Sequence, residues 1–334
     1  MKNKINKINS YKVLYLEKKR KKIKINFGKK NFVNLDKNEI LIKVSYSSIN
    51  YKDILMSQGN PGLIRKYPHV AGIDATGKVL ESRSKKFRKN DKVIVVAKPL
   101  GVEKSGSFAE YLKIPSSWAY KIPKNISEKK VIIFGTAGFS AILAINKLIE
   151  NGLNKKTRPI LITGATGGVG SIAVFLLSKL GFKIISSTRS KKNFNFLKKI
   201  GTSQIIDHDY FKKQNNLPLL KIKYSAIIDN VGKNIISVGS KELENRGTYI
   251  LIGNVDGNDA DINLLPFILR GINLIGINAE SSSNIEREKV MKKIFQLCKS
   301  SNLNSIFKEY NFKDIKKVLK KNNNINGRVI IKIS

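Results

Sequence analysis

The stretch ILITGATGGVGSIAVFLLSKLG, residues 160–181, joins a run of branched apolar residues to a helical stripe through Gly164, Gly167, Gly168 and Gly170. Glycines at such a junction permit a tight turn and a close backbone approach. The helix that follows then offers free N–H groups and the positive end of its dipole. A pyrophosphate suits that chemistry, with Gly164, Gly167, Gly168 and Gly170 letting it approach the backbone. The spacing is G-x-x-G-G-x-G, not the dinucleotide fingerprint G-x-G-x-x-G, and a plain tight turn in an α/β domain could use the same residues.

A nicotinamide dinucleotide site usually places an Asp or Glu about 20 residues further on to hold a ribose 2′-hydroxyl. Here that region is KIISSTRSKKN, with Thr188, Arg189 and Ser190, and no acid stands anywhere from Asn151 to Ile206. With 24 acids in 334 residues, those 56 positions should hold about four. A carboxylate would repel a 2′-phosphate, whereas a guanidinium and two hydroxyls can bind it. The missing acids therefore point to NADPH.

The elements that must carry these residues fall into two textures. Up to about residue 120, YKVLYL, EILIKVSYSSI, GKVLES and DKVIVVAK read as strands between turn residues. From Ser127 a long apolar helix is predicted. After Arg158 come strands PILITG, KIISST, SQIIDH, SAIIDNVG, GTYILIGN and NLIGINA, with helices centred on 168–180, 191–200 and 233–244 between them. That alternation predicts a parallel sheet with crossovers. A helix near 284–300 and a last strand, GRVIIKIS, close the chain. The expected division is a β domain over 1–125, completed by about 285–334, and a nucleotide-binding domain over 126–284.

Composition narrows the function classes. One cysteine, Cys298, and two histidines, His69 and His208, make neither a disulfide framework nor a cysteine/histidine zinc site, so no metal is expected. No apolar run is read as long enough to cross a bilayer, and MKNKINKINS lacks the apolar core of a secretory signal, which suggests a solvated tail on a cytoplasmic protein. The net charge of +39 would attract any polyanion. Its lysines are spread along the chain and no nucleic-acid motif accompanies them, so nucleic acid is not the expected partner.

SSINYKD, AGIDATGKV, GTAGFSA, TGATGGVGSIAV, IIDNVG and LPFILRGINLIGI stand in the order and spacing of one family. Over roughly residues 11–334 the chain resembles the zinc-free medium-chain dehydrogenase/reductases, and within them the acrylyl-CoA reductase branch of the quinone oxidoreductase-like proteins. The resemblance implies a Rossmann-type parallel-sheet domain plus a GroES-like β domain, commonly as a homodimer. It implies NADPH-dependent reduction of an activated C=C bond, with the cofactor in the cleft between domains. It also implies that Tyr51 lies against the nicotinamide, that Thr166, Gly167, Gly168 and Val169 cradle the pyrophosphate and 188–190 the 2′-phosphate, and that Asn254, Ile268, Ala279 and Asn323 make further cofactor contacts. The branch usually carries Ser-Gly-Arg where this chain has Thr188-Arg189-Ser190, which displaces the arginine by one position.

Hydride addition to the β-carbon of an enoyl thioester pushes charge onto the carbonyl oxygen, which needs a hydrogen-bond donor, and the α-carbon needs a proton. Tyr51 is the candidate donor, with Asn50 as a second polar group beside it; alternatively Tyr51 only packs on the cofactor and solvent supplies the proton. Asp53 suits a helix N-cap. Arg65 and Lys66 could meet the phosphates of coenzyme A. Asp229 and Asn230 end a strand where ligands bind or where a loop needs holding, and Arg328 could face a cleft or solvent. Cys298 reads as core filling, His69 as structural or exposed, and His208 receives no role. Three functions follow from these residues: a 2-enoyl-CoA reductase, a quinone or small-enone reductase, and a non-catalytic polyanion-binding protein.

Overall fold

The computed structural model describes residues 10–20, 22–154, 158–212, 216–321 and 325–334. The tail 1–9 and Asn323 lie outside the described residues. The chain forms two compact units. One holds the chain up to Phe139 together with Met291–Leu303 and Phe307–Ser334; the other holds Ser140–Val290 and Asn304–Ile306. The division thus falls inside a helix, later than the boundary at 125 expected from texture.

The first unit begins with strands β1 (Ser10–Lys19), β2 (Lys22–Asn31) and β3 (Glu39–Ile49), then helix α1 (Tyr51–Gln58). Strands β4 (His69–Val70), β5 (Ala75–Ser82), β6 (Lys92–Val95), β7 (Tyr111–Pro115) and β8 (Ala119–Lys121) follow, and then helix α2 (Glu128–Glu150). Strand β3, buried at most of its positions, is the centre of the larger sheet, pairing with β5 and β7. Strand β2 was not expected. Its KIKINF alternates lysine with apolar residues, the period-two pattern of a half-buried strand, and it pairs with β1 over its whole length.

Helix α2 is 23 residues long, and its most apolar window is 78% buried. It is long and apolar enough to cross a membrane by length and composition, contrary to the expectation that no such run exists. Its burial within the protein identifies it as a core helix. It is broken at Gly135, where φ is 52° and ψ is −157°.

The second unit alternates β9 (Ile160–Ile162), α3 (Gly168–Lys179), β10 (Ile184–Thr188), α4 (Phe194–Lys199) and β11 (Gln204–Asp207). It continues through β12 (Tyr224–Asp229), α5 (Asn234–Gly239), β13 (Leu243–Leu251), α6 (Leu265–Leu269) and β14 (Asn273–Gly276). The sheet order is β11-β10-β9-β12-β13-β14, and every pairing is parallel. Numbered from β9, this is the doubly wound order 3-2-1-4-5-6, whose direction of growth reverses beside β9. Ligands of such sheets bind at the carboxyl ends of the strands flanking that reversal. Helices α4 and α5 are shorter than the predicted spans, because each passes into a 3-10 turn at one end.

Helix α7 (Asn284–Ser300), strand β15 (Phe307–Asn311), helix α8 (Ile315–Lys321) and strand β16 (Arg328–Lys332) end the chain. Strand β16 pairs antiparallel with β3 and parallel with β15, so the C-terminal segment completes the sheet of the first unit.

Candidate active site

The glycine turn follows β9 at the carboxyl edge. Gly164 has φ 54°, a left-handed conformation that favours glycine. A Cβ on Gly170 would lie 2.4 Å from Gly164 O, so helix and turn approach as closely as glycine permits. The N-cap of α3 is Gly167, with no side chain folded over the first turn. Gly167 is exposed, and Thr166, Gly168 and Val169 are half-buried around it. A helix start uncapped by side chain, with its dipole pointing out, fits a pyrophosphate.

The loops after β12 and β13 flank this turn. A Cβ on Gly164 would meet Asn230 at 3.1 Å, and one on Gly253 would meet Asn230 O at 2.5 Å. Asp229 is buried and works as a clamp. It accepts from Thr163 Oγ1 at 2.5 Å, Val231 N at 2.8 Å and Tyr249 Oη at 2.7 Å. Asn230 Nδ2 donates to Thr163 O at 2.8 Å. Of the two roles open for Asp229 and Asn230, the structure gives them the holding of loops.

At the end of β10 the expected trio divides. Thr188 is buried, and its hydroxyl receives Asn193 Nδ2 at 3.1 Å and Ser190 N at 3.4 Å. Its oxygen supports the turn from inside. Arg189 and half-buried Ser190 remain at the surface. Arg189, however, is paired: its Nη2 meets Asp256 Oδ1, from the loop after β13. The acids missing from 151–206 are restored by the fold from far along the chain. The local absence of carboxylate therefore does not by itself decide between NADPH and NADH.

Asn254 is exposed on the same β13 loop, its Nδ2 donating to Asn258 Oδ1. Ile268, 70% exposed on α6, and Ala279, after β14, are not brought to the glycine turn. Strand β14 stands three strands from β9, about 14 Å at the usual spacing. Buried Arg287 holds the segment around Ala279, donating to Ala279 O at 3.0 Å and Glu280 O at 2.6 Å.

In the first unit, Tyr51 opens α1 and is 43% exposed. Asn50, the residue before it, belongs to a buried polar cluster that sequence reasoning left unassembled. Asp74 Oδ2 accepts from Ser48 Oγ at 2.6 Å, Asn50 Nδ2 at 2.8 Å and Thr136 N at 2.9 Å. Arg328 donates to Ser48 Oγ at 2.7 Å, Asn50 Oδ1 at 3.1 Å and Ile133 O at 3.0 Å. Arg328 is thus buried within the fold and faces no solvent. The amide of Asn50 is engaged at both ends, and in this arrangement Asn50 fixes the start of α1.

Asp53 is the third residue of α1 and not its N-cap, which is Asn50. Its carboxylate receives Asn50 N at 2.9 Å and Gly72 N at 3.0 Å. Burial pushes its carboxyl up to about 7, with neighbouring Asp74 adding to the rise and the Asn50 and Gly72 N–H groups opposing it. Gly135 makes room for the cluster, since a Cβ there would lie 2.4 Å from Asp74 Oδ2 and 2.7 Å from Arg328 Nη2. The break it causes in α2 is what turns the Thr136 N–H onto Asp74. Asp74 and Thr136 were missed although AGIDATGKV and GTAGFSA contain them. Their one signal was polarity inside otherwise apolar segments.

His69 Nε2 lies 2.8 Å from Gly101 O, and buried His208 lies 3.0 Å from Asp256 Oδ2. Arg65 and Lys66 are exposed on the loop after α1. Cys298 is buried and its thiol is pushed up to about 12 by burial. Among the described residues no group of three or more His, Cys, Asp or Glu is placed to hold a metal ion.

Comparison with known proteins bears on both units. Residues 36–124 match the alcohol dehydrogenase GroES-like domain, and 168–296 match the zinc-binding dehydrogenase domain. YhfP of Bacillus subtilis (strain 168), provisionally named a quinone oxidoreductase, is 36% identical over 90% of this chain and 92% of that protein. Its crystal structure with NAD bound aligns with a TM-score of 0.91, at 33% identity over 98% of this chain and 100% of that one. The acrylyl-CoA reductase AcuI of Ruegeria pomeroyi is 28% identical over 91% of this chain and 93% of that protein. The yhdH oxidoreductase of Salmonella enterica, solved in complex with NADP, aligns with a TM-score of 0.91 at 28% identity over 97% of this chain and 100% of that one.

Proposed function

The chain belongs to the zinc-free, quinone oxidoreductase-like medium-chain dehydrogenase/reductases, and from that premise we propose that it uses NADPH to reduce the C=C bond of a short 2-enoyl-CoA, acrylyl-CoA first among them. It is an oxidoreductase with a nicotinamide dinucleotide as cofactor. The finer assignment rests on one observation above others. SSINYKD, AGIDATGKV and GTAGFSA contribute Asn50 and Asp53, Asp74, and Thr136 to one buried cluster at the start of α1. Two of the three segments whose conjunction marks the acrylyl-CoA reductase branch, NYKD and GTAGF, are thereby joined in one physical device; the third, PFILR, lies outside it.

When bound, the nicotinamide supplies a hydride. The chain's own residues divide the remaining work. The glycine turn and the start of α3 receive the pyrophosphate, Arg189 and Ser190 the 2′-phosphate, and Asn254, Ile268 and Ala279 the more distant parts of the dinucleotide. The Tyr51 hydroxyl donates a hydrogen bond to the thioester oxygen as charge gathers there. The buried cluster holds Asn50 and therefore the first turn of α1, so Tyr51 needs little reorganisation. Arg65 and Lys66 attract the phosphates of the coenzyme.

We further propose a homodimer formed along the outer edge of β14, the last strand of its sheet. Leu274 on that strand is 42% exposed, and Leu264 and Leu269 on the segment leading into it are 63% and 61% exposed. An unpaired strand edge next to such an apolar patch is a place for a second copy. A chain with a single buried cysteine also suits the reducing cytoplasm, where we place the reaction.

Reduction of a quinone or small enone is the second reading, favoured by the name and 36% identity of YhfP. The two separate by kcat/KM with NADPH. A value for acrylyl-CoA well above that for a simple quinone or the free enone supports the first. Equal or higher values for the CoA-free acceptors move the protein to the second.

A further inference from the structure

Asp256 has no place in the scheme above, yet it occupies the mouth of the 2′-phosphate site. Its Oδ1 is held by Arg189 Nη2, and its Oδ2 lies 3.0 Å from His208 Nε2. The three residues follow β10, β11 and β13 on one carboxyl edge, and the loop after β13 carries Asp256 past β12 and β9 to reach the other two. Arg189 is 59% exposed in its side chain, Asp256 25% and His208 8%. The arginine can swing out. The carboxylate cannot follow.

Backbone hydrogen bonds fix the loop that carries Asp256, and buried His208 meets its carboxylate. Asp256 N donates to Val231 O at 3.0 Å, and Gly257 N to Asn254 O at 3.0 Å. His208 is buried, with its ring centroid 6.3 Å from that of Phe211. Asp209 stands in the same field: its carboxyl is held below the usual range first by Lys212 and in smaller part by His208 and Arg189. Asp256 is therefore a fixed negative charge beside the one arginine of Thr188-Arg189-Ser190.

A phosphate monoester carries a charge of about −1.5 to −2 at pH 7. To bind one, Arg189 must give up or share Asp256, and the phosphate must then tolerate a carboxylate that stays in place. NADH makes no such demand, because it leaves the Arg189–Asp256 pair intact. We propose that Asp256 is a cofactor-selectivity residue, which competes with the 2′-phosphate for Arg189 and so narrows the preference for NADPH over NADH. The proposal rests on the reading that Arg189 receives the 2′-phosphate. It explains how this chain keeps the arginine yet places a carboxylate where a 2′-phosphate site would be expected to exclude one.

The test is direct titration of the full chain with NADPH and with NADH, for wild type, Asp256→Asn and Arg189→Ala. The Asp256→Asn change keeps the shape and removes the charge, and Asp256→Ser serves as a second variant. Both should tighten NADPH on the order of tenfold while NADH moves less than about twofold. Arg189→Ala should weaken NADPH toward the NADH value. Unchanged NADPH affinity in both Asp256 variants, with Arg189→Ala still weakening NADPH, overturns the proposal and leaves the phosphate reading standing. No effect from any of the three overturns both. Weaker NADH with unchanged NADPH also overturns it, making Asp256 an acceptor for the ribose hydroxyl.

Discussion

Asp74 Oδ2 and Arg328 Nη2 lie 3.5 Å apart, with the two side chains 0% and 1% exposed. Burial of such a pair is costly unless the remaining donors and acceptors are satisfied. Here Ser48, Asn50, Thr136 and the carbonyl of Ile133 satisfy them. Removing one partner strands the other charge. Arg328→Met or Asp74→Asn should each cost about 3–5 kcal/mol of unfolding free energy in urea. Combined, they should cost clearly less than the sum, since neither charge is then left alone.

Gly135 meets the same cluster from α2. Gly135→Ala places a methyl 2.4 Å from Asp74 Oδ2 in a backbone conformation open essentially to glycine. We expect a loss of about 3 kcal/mol or more by urea denaturation. A loss no larger than that of an alanine at an ordinary helix position, about zero, would mean that the break in α2 does not depend on glycine.

The carboxyl of Asp53 gives stability a pH dependence. It sits near 4 in the unfolded chain and is pushed up to about 7 in the folded one, so between those values the native state holds the extra proton. Stability should therefore fall as pH rises through that window and level off above it. Denaturation midpoints at about pH 5 and pH 8 should show the fall in wild type, and Asp53→Asn should remove most of it.

Much of the second unit was legible before the fold was seen. The strands from β9 to β14 are short apolar runs separated by helical stripes, so local pattern and tertiary environment agree. Contacts between distant segments were not legible. Nothing within 151–206 announces that Asp256 will reach Arg189, and nothing in GRVIIKIS announces that Arg328 will turn inward onto Asn50. Sequence periodicity reports which face a residue takes, and burial of charge depends on what the topology brings to that face. Helix α1 escaped the strand reading of the first unit because its eight residues are too few to establish an apolar stripe.

The exposed edge at β14 predicts an assembly. Leu274→Lys with Leu269→Glu should turn a dimer into a monomer by light scattering, with the far-ultraviolet circular dichroism of the wild type retained. A wild-type chain already monomeric at micromolar concentration would contradict the proposed interface.

The roles given to Tyr51 and Arg65 separate kinetically. Tyr51→Phe should lower kcat with acrylyl-CoA by about 10²–10³ if its hydroxyl stabilises the developing charge, with little change in KM. Arg65→Ala should raise KM for the thioester several-fold and leave KM for a quinone unchanged, since a phosphate contact serves only the coenzyme.

The central claim is that electrons from NADPH end on the C=C bond of an enoyl thioester. It is tested most directly by incubating the protein with NADPH and acrylyl-CoA and measuring propanoyl-CoA formed against NADPH consumed. The account predicts equal amounts of each, at a rate well above that with NADH. NADPH consumption only when a quinone is present, with no propanoyl-CoA, would contradict it.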